Sequence, residues 1–150
     1  MMAIGVQTQL ELPVKKKQIL YKLLPHIMII DDDPEILEEL REYLSSDYEV
    51  ETLFDSANAF EVACELSPDL IILDLKMFPK SGFQLAYEFK NSVKTKFIPI
   101  IAITGFFTEK EHELMVKLSG VKRFLLKPFN LDQFEKEIKS VLKEFNPRNN

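Results

Sequence analysis

One cysteine, no tryptophan and only four glycines stand among 150 residues, and each scarcity closes a class of answer. A lone Cys64 cannot form an internal disulfide. That excludes a small disulfide-stapled secreted fold and makes a reducing compartment the default. Cys64 sits on an apolar helical face and reads as a small core residue. No apolar run approaches the roughly 20 residues a membrane-spanning helix needs. Leu23 to Ile30 is apolar but is cut by Pro25 and His26 and lacks a cleavage pattern, so no signal peptide is read there. The expected location is cytoplasmic. A basic surface is also missing. The formal net charge is −5, and the four lysines of residues 1–25 against Glu11 leave −8 on the remainder. An acidic body argues against a nucleic-acid partner and suits a protein that offers bare carboxylates to a hard cation. His26 and His112 lack metal-ligand spacing, and His112 reads as solvated.

What the chain does contain, from residue 26 onward, is an alternation of strand and helix signals without repeats. His26–Ile30 is apolar and strand-like. Asp33 and Pro34 then start a helix as N-cap and first residue, with Ile36, Leu37, Leu40, Tyr43 and Leu44 on one face. Glu35, Glu38, Glu39 and Glu42 form its wet face. Tyr48–Leu53 alternates as an edge strand does, and Ser56–Leu66 reads as a second helix. Pro68–Asp74 carries four consecutive apolar residues into one carboxylate, the pattern of a strand buried on both faces of a parallel sheet. Ser81 and Gln84 form a capping box for a helix near 81–92. Phe97–Thr104 is a fourth strand with Pro99 near its beginning. Thr108 and Glu111 cap a fourth helix that Gly120 ends. Arg123–Leu126 is a fifth strand, and Asn130 caps a last helix bearing Leu131, Phe134, Ile138, Val141, Leu142 and Phe145. The division expected is an N-terminal extension over 1–25, one domain over 26–145 and a tail over 146–150. Val14–Leu24 could form a short basic helix with Ile19, Leu20, Leu23 and Leu24 on one side, either as a poorly ordered leader or as a docking arm.

Five strand–helix units predict an α/β fold with right-handed crossovers and a parallel sheet. The strand ends then converge on one edge, bringing together Asp31 and Asp32, Asp74, Thr104, and Lys127 with Pro128. Carboxylate oxygens suit Mg²⁺, and crowded carboxylates repel one another until a cation offsets the charge. Phosphoryl transfer demands positioning and charge neutralisation around three equatorial oxygens. A cation, the Lys127 ammonium and the Thr104 hydroxyl can each hold one, while Asp74 supplies the attacking oxygen and becomes an aspartyl phosphate.

The segments I-M-I-I-D-D-D-P, P-D-L-I-I-L-D-L-K-M-F-P-K-S-G, I-P-I-I-A-I-T-G and F-L-L-K-P-F, in this order, resemble the receiver domain of two-component response regulators over about residues 26–145. The resemblance implies a (βα)5 doubly wound, flavodoxin-like sheet of strand order 2-1-3-4-5. Asp32 would bind Mg²⁺ directly and Asp31 mainly through water, with the Lys76 carbonyl completing the protein ligands. Asp74 would be phosphorylated, Thr104 and Lys127 would hold the phosphoryl group, and Lys127–Pro128 would be cis. Phe124 matches the switch aromatic that turns inward as Thr104 moves, and Gly82 matches a glycine eight residues beyond the acceptor. One departure is the loop order Met77-Phe78-Pro79, where the family usually has Pro directly after Met. The distance to Gly82 is unchanged, so a locally altered loop around an intact site is expected.

The function so implied is a single-domain response regulator, a signalling phosphoacceptor rather than an enzyme, phosphorylated by a histidine kinase or phosphotransfer protein. With the chain ending at Asn150, its output is expected to be a downstream protein target or onward transfer in a phosphorelay. Homodimerisation through the fourth helix, fifth strand and fifth helix stands open as a family option. Two competitors are weighed against this. A receiver-like module that works unphosphorylated would be marked by loss of the acceptor, lysine or acidic pair, and none is lost. A haloacid-dehalogenase-type phosphatase wants a second Asp two residues after the nucleophile, where Lys76 stands. Lys76 and Phe106 flank the path of an attacking water, so a long-lived aspartyl phosphate is expected. Phe106 and Phe107 would be exposed unless they pack on the fourth helix or a partner.

Overall fold

The computed structural model describes residues 13–16, 23–105, 108–118 and 120–145. Its elements are β1 (His26–Ile30), α1 (Pro34–Leu44), β2 (Glu49–Leu53), a 3-10 turn (Ser56–Asn58) leading into α2 (Ala59–Leu66), β3 (Leu70–Asp74), α3 (Gly82–Lys90), β4 (Ile100–Thr104), α4 (Glu109–Leu118), β5 (Val121–Leu126) and α5 (Leu131–Phe145). All neighbouring strands run parallel, in the order β2-β1-β3-β4-β5. The parallel sheet is the one expected from the alternation, and its doubly wound strand order is the one the resemblance implies.

The three central strands are continuous apolar runs because both faces of the sheet are covered. Alternate residues feed two cores. Ile27, Ile29, Leu70, Ile72, Ile101 and Ile103 pack against α1 and α5. Met28, Ile30, Ile71, Leu73, Ile100 and Ala102 pack against α2 and α3. Caps fix where the helices start. Asp33 accepts from the Glu35 N–H at 3.0 Å, Ser81 and Gln84 form a reciprocal box, and the Asp132 N–H donates to Asn130 at 2.8 Å. Gly120 sits at φ 62°, the left-handed position that glycine adopts freely.

Several boundaries differ from the sequence reading. The fourth strand begins at Ile100 and not at Phe97, since Pro99 has no N–H to open the ladder and only its carbonyl takes part, accepting from the Ile71 N–H at 3.0 Å. Phe97 stands 82% exposed, while Thr95 is buried with its hydroxyl donated to the Phe89 carbonyl at 2.6 Å. The fifth strand starts earlier, at Val121, because a bulge inserts Lys122 between the partners of Ile100 and Ile101. The second helix opens as a 3-10 turn capped by Asp55. Of the expected N-terminal helix, Val14–Lys16 is helical and Leu23 is exposed, whereas Ile19 and Leu20 lie outside the described residues. The tail 146–150 and Phe106 and Phe107 also lie outside them. Cys64 is half-buried rather than fully enclosed.

Candidate functional site

Strand register explains how residues far apart in sequence meet. Ile30 pairs with Leu73, so Asp31 leaves β1 level with Asp74 at the end of β3. Asp74 pairs with Ile103, one residue before Thr104, and Thr104 pairs with Leu126, one residue before Lys127. The convergence is therefore a product of sheet geometry, with every chain end leaving the same edge. Two backbone bonds hold the edge: the Leu75 N–H donates to the Ile103 carbonyl at 3.1 Å, and the Lys127 N–H to the Thr104 carbonyl at 2.8 Å.

Asp31, Asp32 and Asp74 place one carboxylate oxygen each within 4.8 Å of one another. Asp31 and Asp74 are buried and Asp32 is exposed. Asp31 is engaged on both sides: Oδ1 accepts from the Asp33 N–H at 2.9 Å and Oδ2 from the Lys127 ammonium at 2.8 Å. The same ammonium is 3.5 Å from Asp74 Oδ2, and the Lys76 N–H donates to Asp74 Oδ1 at 3.3 Å. Burial first, then the negative charge of Asp31, raise the Asp74 carboxyl from an ordinary 3.8 to about 6 against the opposing pull of Lys127 and the Lys76 N–H. Burial pulls the Lys127 ammonium down, but the hydrogen bond and charge of Asp31, with Asp74 behind them, outweigh it and hold Lys127 above its usual value. The donor set is hard oxygen throughout, and the crowding that lifts Asp74 is what a divalent cation relieves. The residues therefore fit Mg²⁺.

The loop after Asp74 is pinned from several sides. Leu75 and Met77 are buried in the core against α2 and α3. The Lys80 N–H donates to Ser56 Oγ at 3.0 Å, and the Gly82 N–H to the Leu75 carbonyl at 3.1 Å. Phe78 is 84% exposed, and both Phe78–Pro79 and Lys127–Pro128 are cis. A Cβ at Gly82 would lie 2.1 Å from the Asp74 carbonyl oxygen, so glycine is required there by space.

Thr104 is buried at the end of β4. Phe124 is half-buried, packed on the core against α2 and α3, with its ring 4.7 Å from the His112 ring. Sequence reasoning read His112 as solvated; it is exposed, yet it lies against the aromatic that the sequence singled out. Two further contacts escaped it. Ser56 touches the loop after Asp74, and Lys76 pairs with Glu111 of α4 at 2.8 Å. That pair, followed by the Thr108 N–H, holds the Glu111 carboxyl below its ordinary value. The four glutamates of α1 are exposed as expected, and Glu39 joins Ile36, Leu40, Lys127 and Phe129 in lining a cleft of about 350 Å³ beside the site.

Comparison with known proteins agrees with this architecture. The family described as response regulator receiver domain matches residues 27–139. The sensor histidine kinase TmoS of Ectopseudomonas mendocina is 32% identical over 120 residues, 79% of this chain and 12% of that protein. The polar-differentiation response regulator DivK of Brucella ovis is 28% identical over 117 residues, 77% of this chain and 94% of DivK. The chain spans half the length of a third relative, the DNA-binding dual master transcriptional regulator RpaA of Synechocystis. Among solved structures, the Vibrio cholerae chemotaxis protein CheY4 superposes with a TM-score of 0.73 at 27% identity, covering 79% of this chain and 98% of that one. Among the described residues no helix is long and apolar enough to cross a membrane.

Proposed function

The chain belongs to the response regulator receiver domain family, and on that premise we propose that Asp74 accepts a phosphoryl group from the phosphohistidine of a kinase or phosphotransfer protein. The observation that carries the reading is Asp74 itself, a buried carboxylate raised to about 6 and set 3.5 Å from the Lys127 ammonium inside a cluster of three acids. Ionised at neutral pH, its oxygen attacks phosphorus. The new oxygen–phosphorus bond forms as the phosphorus–nitrogen bond breaks, and the imidazole leaves with the electron pair and takes up a proton. Lys127 follows the charge from the acceptor carboxylate to a phosphoryl oxygen. The Thr104 hydroxyl, at the end of β4, would hold a second oxygen, and the Lys76 N–H, now bonded to Asp74 Oδ1, would turn to a third. Bound by Asp31, Asp32, Asp74 and the Lys76 carbonyl, Mg²⁺ would supply a Lewis acid that offsets charge on the phosphoryl oxygens. The cleft between α1 and the segment after Lys127 gives the donor protein a place to dock next to the acceptor.

The modified aspartate then shifts a conformational population, and only as far as its differential contacts allow. Movement of Thr104 and Phe124 would alter the face made by α4, β5 and α5, where an output protein or a second copy would bind.

Acetyl phosphate with Mg²⁺ tests the reading. One phosphoryl group per chain, mapped to Asp74 by mass spectrometry with acetate released, is the expected result. Lys127→Met should slow labelling by about 10²-fold, as the loss of one preorganised charge stabiliser does. No adduct on the folded wild-type chain, or an adduct at another residue, would refute it.

A further inference from the structure

Lys76 does two things at once. Its N–H donates to the acceptor carboxylate at 3.3 Å, and its ammonium crosses to α4, where it meets Glu111 Oε1 at 2.8 Å while lying 5.4 Å from the centre of the Phe83 ring. Glu111 in turn uses both oxygens. Oε2 accepts from the Thr108 N–H at 3.0 Å, the Glu111 N–H donates back to Thr108 Oγ1 at 3.2 Å, and the His112 N–H makes the first intrahelical bond, to the Thr108 carbonyl, at 3.0 Å. One carboxylate therefore both caps α4 and ties that cap to the loop that carries Asp74. The next residue, His112, rests on Phe124 of β5. A continuous set of contacts runs from the acceptor through Lys76 and Glu111 to the first turn of α4, and from there to Phe124.

We propose that the Lys76–Glu111 ion pair is a latch that holds the first turn of α4 against the acceptor loop while Asp74 is unmodified, and that a phosphoryl group on Asp74 draws the Lys76 ammonium away and releases the turn. The inference rests on the reading of Asp74 as phosphoacceptor. A phosphoryl dianion two residues from Lys76 competes with a single carboxylate whose side chain is one-third exposed and already shared with a backbone N–H. The lysine stem is long and 48% exposed, so its head changes partner without disturbing the core. With the latch open, Glu111 still caps α4, but its tie to the loop after Asp74 is gone, and the contact of His112 with the ring of Phe124 shifts with the helix start. Lys76 and Glu111 are thus positioning residues, acting through α4.

A double-mutant cycle on the full chain tests this, with beryllium trifluoride and Mg²⁺ as the phosphoryl probe. Glu111→Gln keeps an oxygen to accept the Thr108 N–H while removing the charge. It should tighten beryllium trifluoride binding by about threefold, the scale of a half-exposed ion pair. It should also speed amide exchange in residues 109–112 of the unmodified protein toward the rate that the wild type reaches with the probe. In a Lys76→Gln background the same substitution should change neither quantity. Unchanged or weaker probe binding in Glu111→Gln, or an effect that persists without Lys76, overturns the latch while leaving the acceptor assignment standing. A wild type that binds no probe and takes no label from acetyl phosphate removes the acceptor assignment, and the latch with it.

Discussion

Asp74→Asn is expected to make the metal-free protein more stable at neutral pH while abolishing both phosphoryl labelling and stabilisation by Mg²⁺. The Asp74 carboxyl is pushed up to about 6 in the folded chain against an ordinary 3.8, because burial and Asp31 disfavour its charge. A carboxyl raised in the folded state favours folding fully below its unfolded value, and that advantage is lost as the pH rises through the folded value. For Asp74 the loss runs from near 3.8 to about 6, so at neutral pH the ionised form is the less stable one. A shift of about two pK units corresponds to roughly 3 kcal/mol. That figure already includes the opposing pull of Lys127 and the Lys76 N–H; the amide carries its own cost of burial in place of the carboxyl, leaving a net gain of about 1–3 kcal/mol. A chain of this size should then melt about 3–10 °C higher in EDTA at neutral pH. Near pH 4 the two forms should converge, since the wild-type carboxyl is protonated there. Adding Mg²⁺ should raise the wild-type melting temperature by mass action and leave the variant where it was. Calorimetry at two pH values with and without the ion reads all of this, and a variant less stable than wild type in EDTA at neutral pH would contradict the account of the site.

The sequence was most legible where local chemistry and sheet topology agree. Ile71, Ile72 and Leu73 leading into Asp74, and Asp33-Pro34 after a strand, each carry their own physical signal, and register then forces the rest of the site together. The caps Asp33, Ser81, Thr108 and Asn130 were readable because a cap bonds only within its own turn. What could not be read depends on the path of loops. Phe97 looked like a strand residue by apolarity alone, and only the burial of Thr95 and the missing N–H of Pro99 push it into water. The Lys76–Glu111 pair joins residues 35 apart, and the tilted ring contact of His112 with Phe124 depends on where α4 lies relative to β5; neither leaves a periodic trace. The bulge at Lys122 is equally silent, since Val121 and Arg123 fit either register.

Gly82 supplies the other large effect, and it separates space from backbone freedom. An added methyl would sit 2.1 Å from the Asp74 carbonyl oxygen and 2.7 Å from the Leu75 Cα, both backbone atoms that no rotamer change can clear. Relief requires the chain on either side of Asp74 to move away from the start of α3, breaking the bond from the Gly82 N–H to the Leu75 carbonyl. Gly82→Ala should therefore cost about 3 kcal/mol or more, at or beyond the upper end of overpacking. Phosphoryl labelling should fall even where the variant remains folded, because the moved atoms carry Asp74. Two other glycines calibrate the measurement. Gly120 has open space but a φ of 62°, so alanine there should cost about 1 kcal/mol from conformation alone. Gly105 has neither a neighbour within 4 Å nor a positive φ, so alanine should be neutral or stabilise by about 0.5 kcal/mol. Urea unfolding of the three variants should rank Gly82→Ala far below Gly120→Ala, with Gly105→Ala at or above wild type. If Gly82→Ala fails to express folded, Gly82→Ser in the same assay should fail likewise while Gly105→Ser folds, since the obstacle is any Cβ at position 82 and not the chemistry of the side chain. A folded, normally labelled Gly82→Ala would mean that the loop after Asp74 and α3 do not touch as described, and the placement of Asp74 would have to be rebuilt from a different loop path.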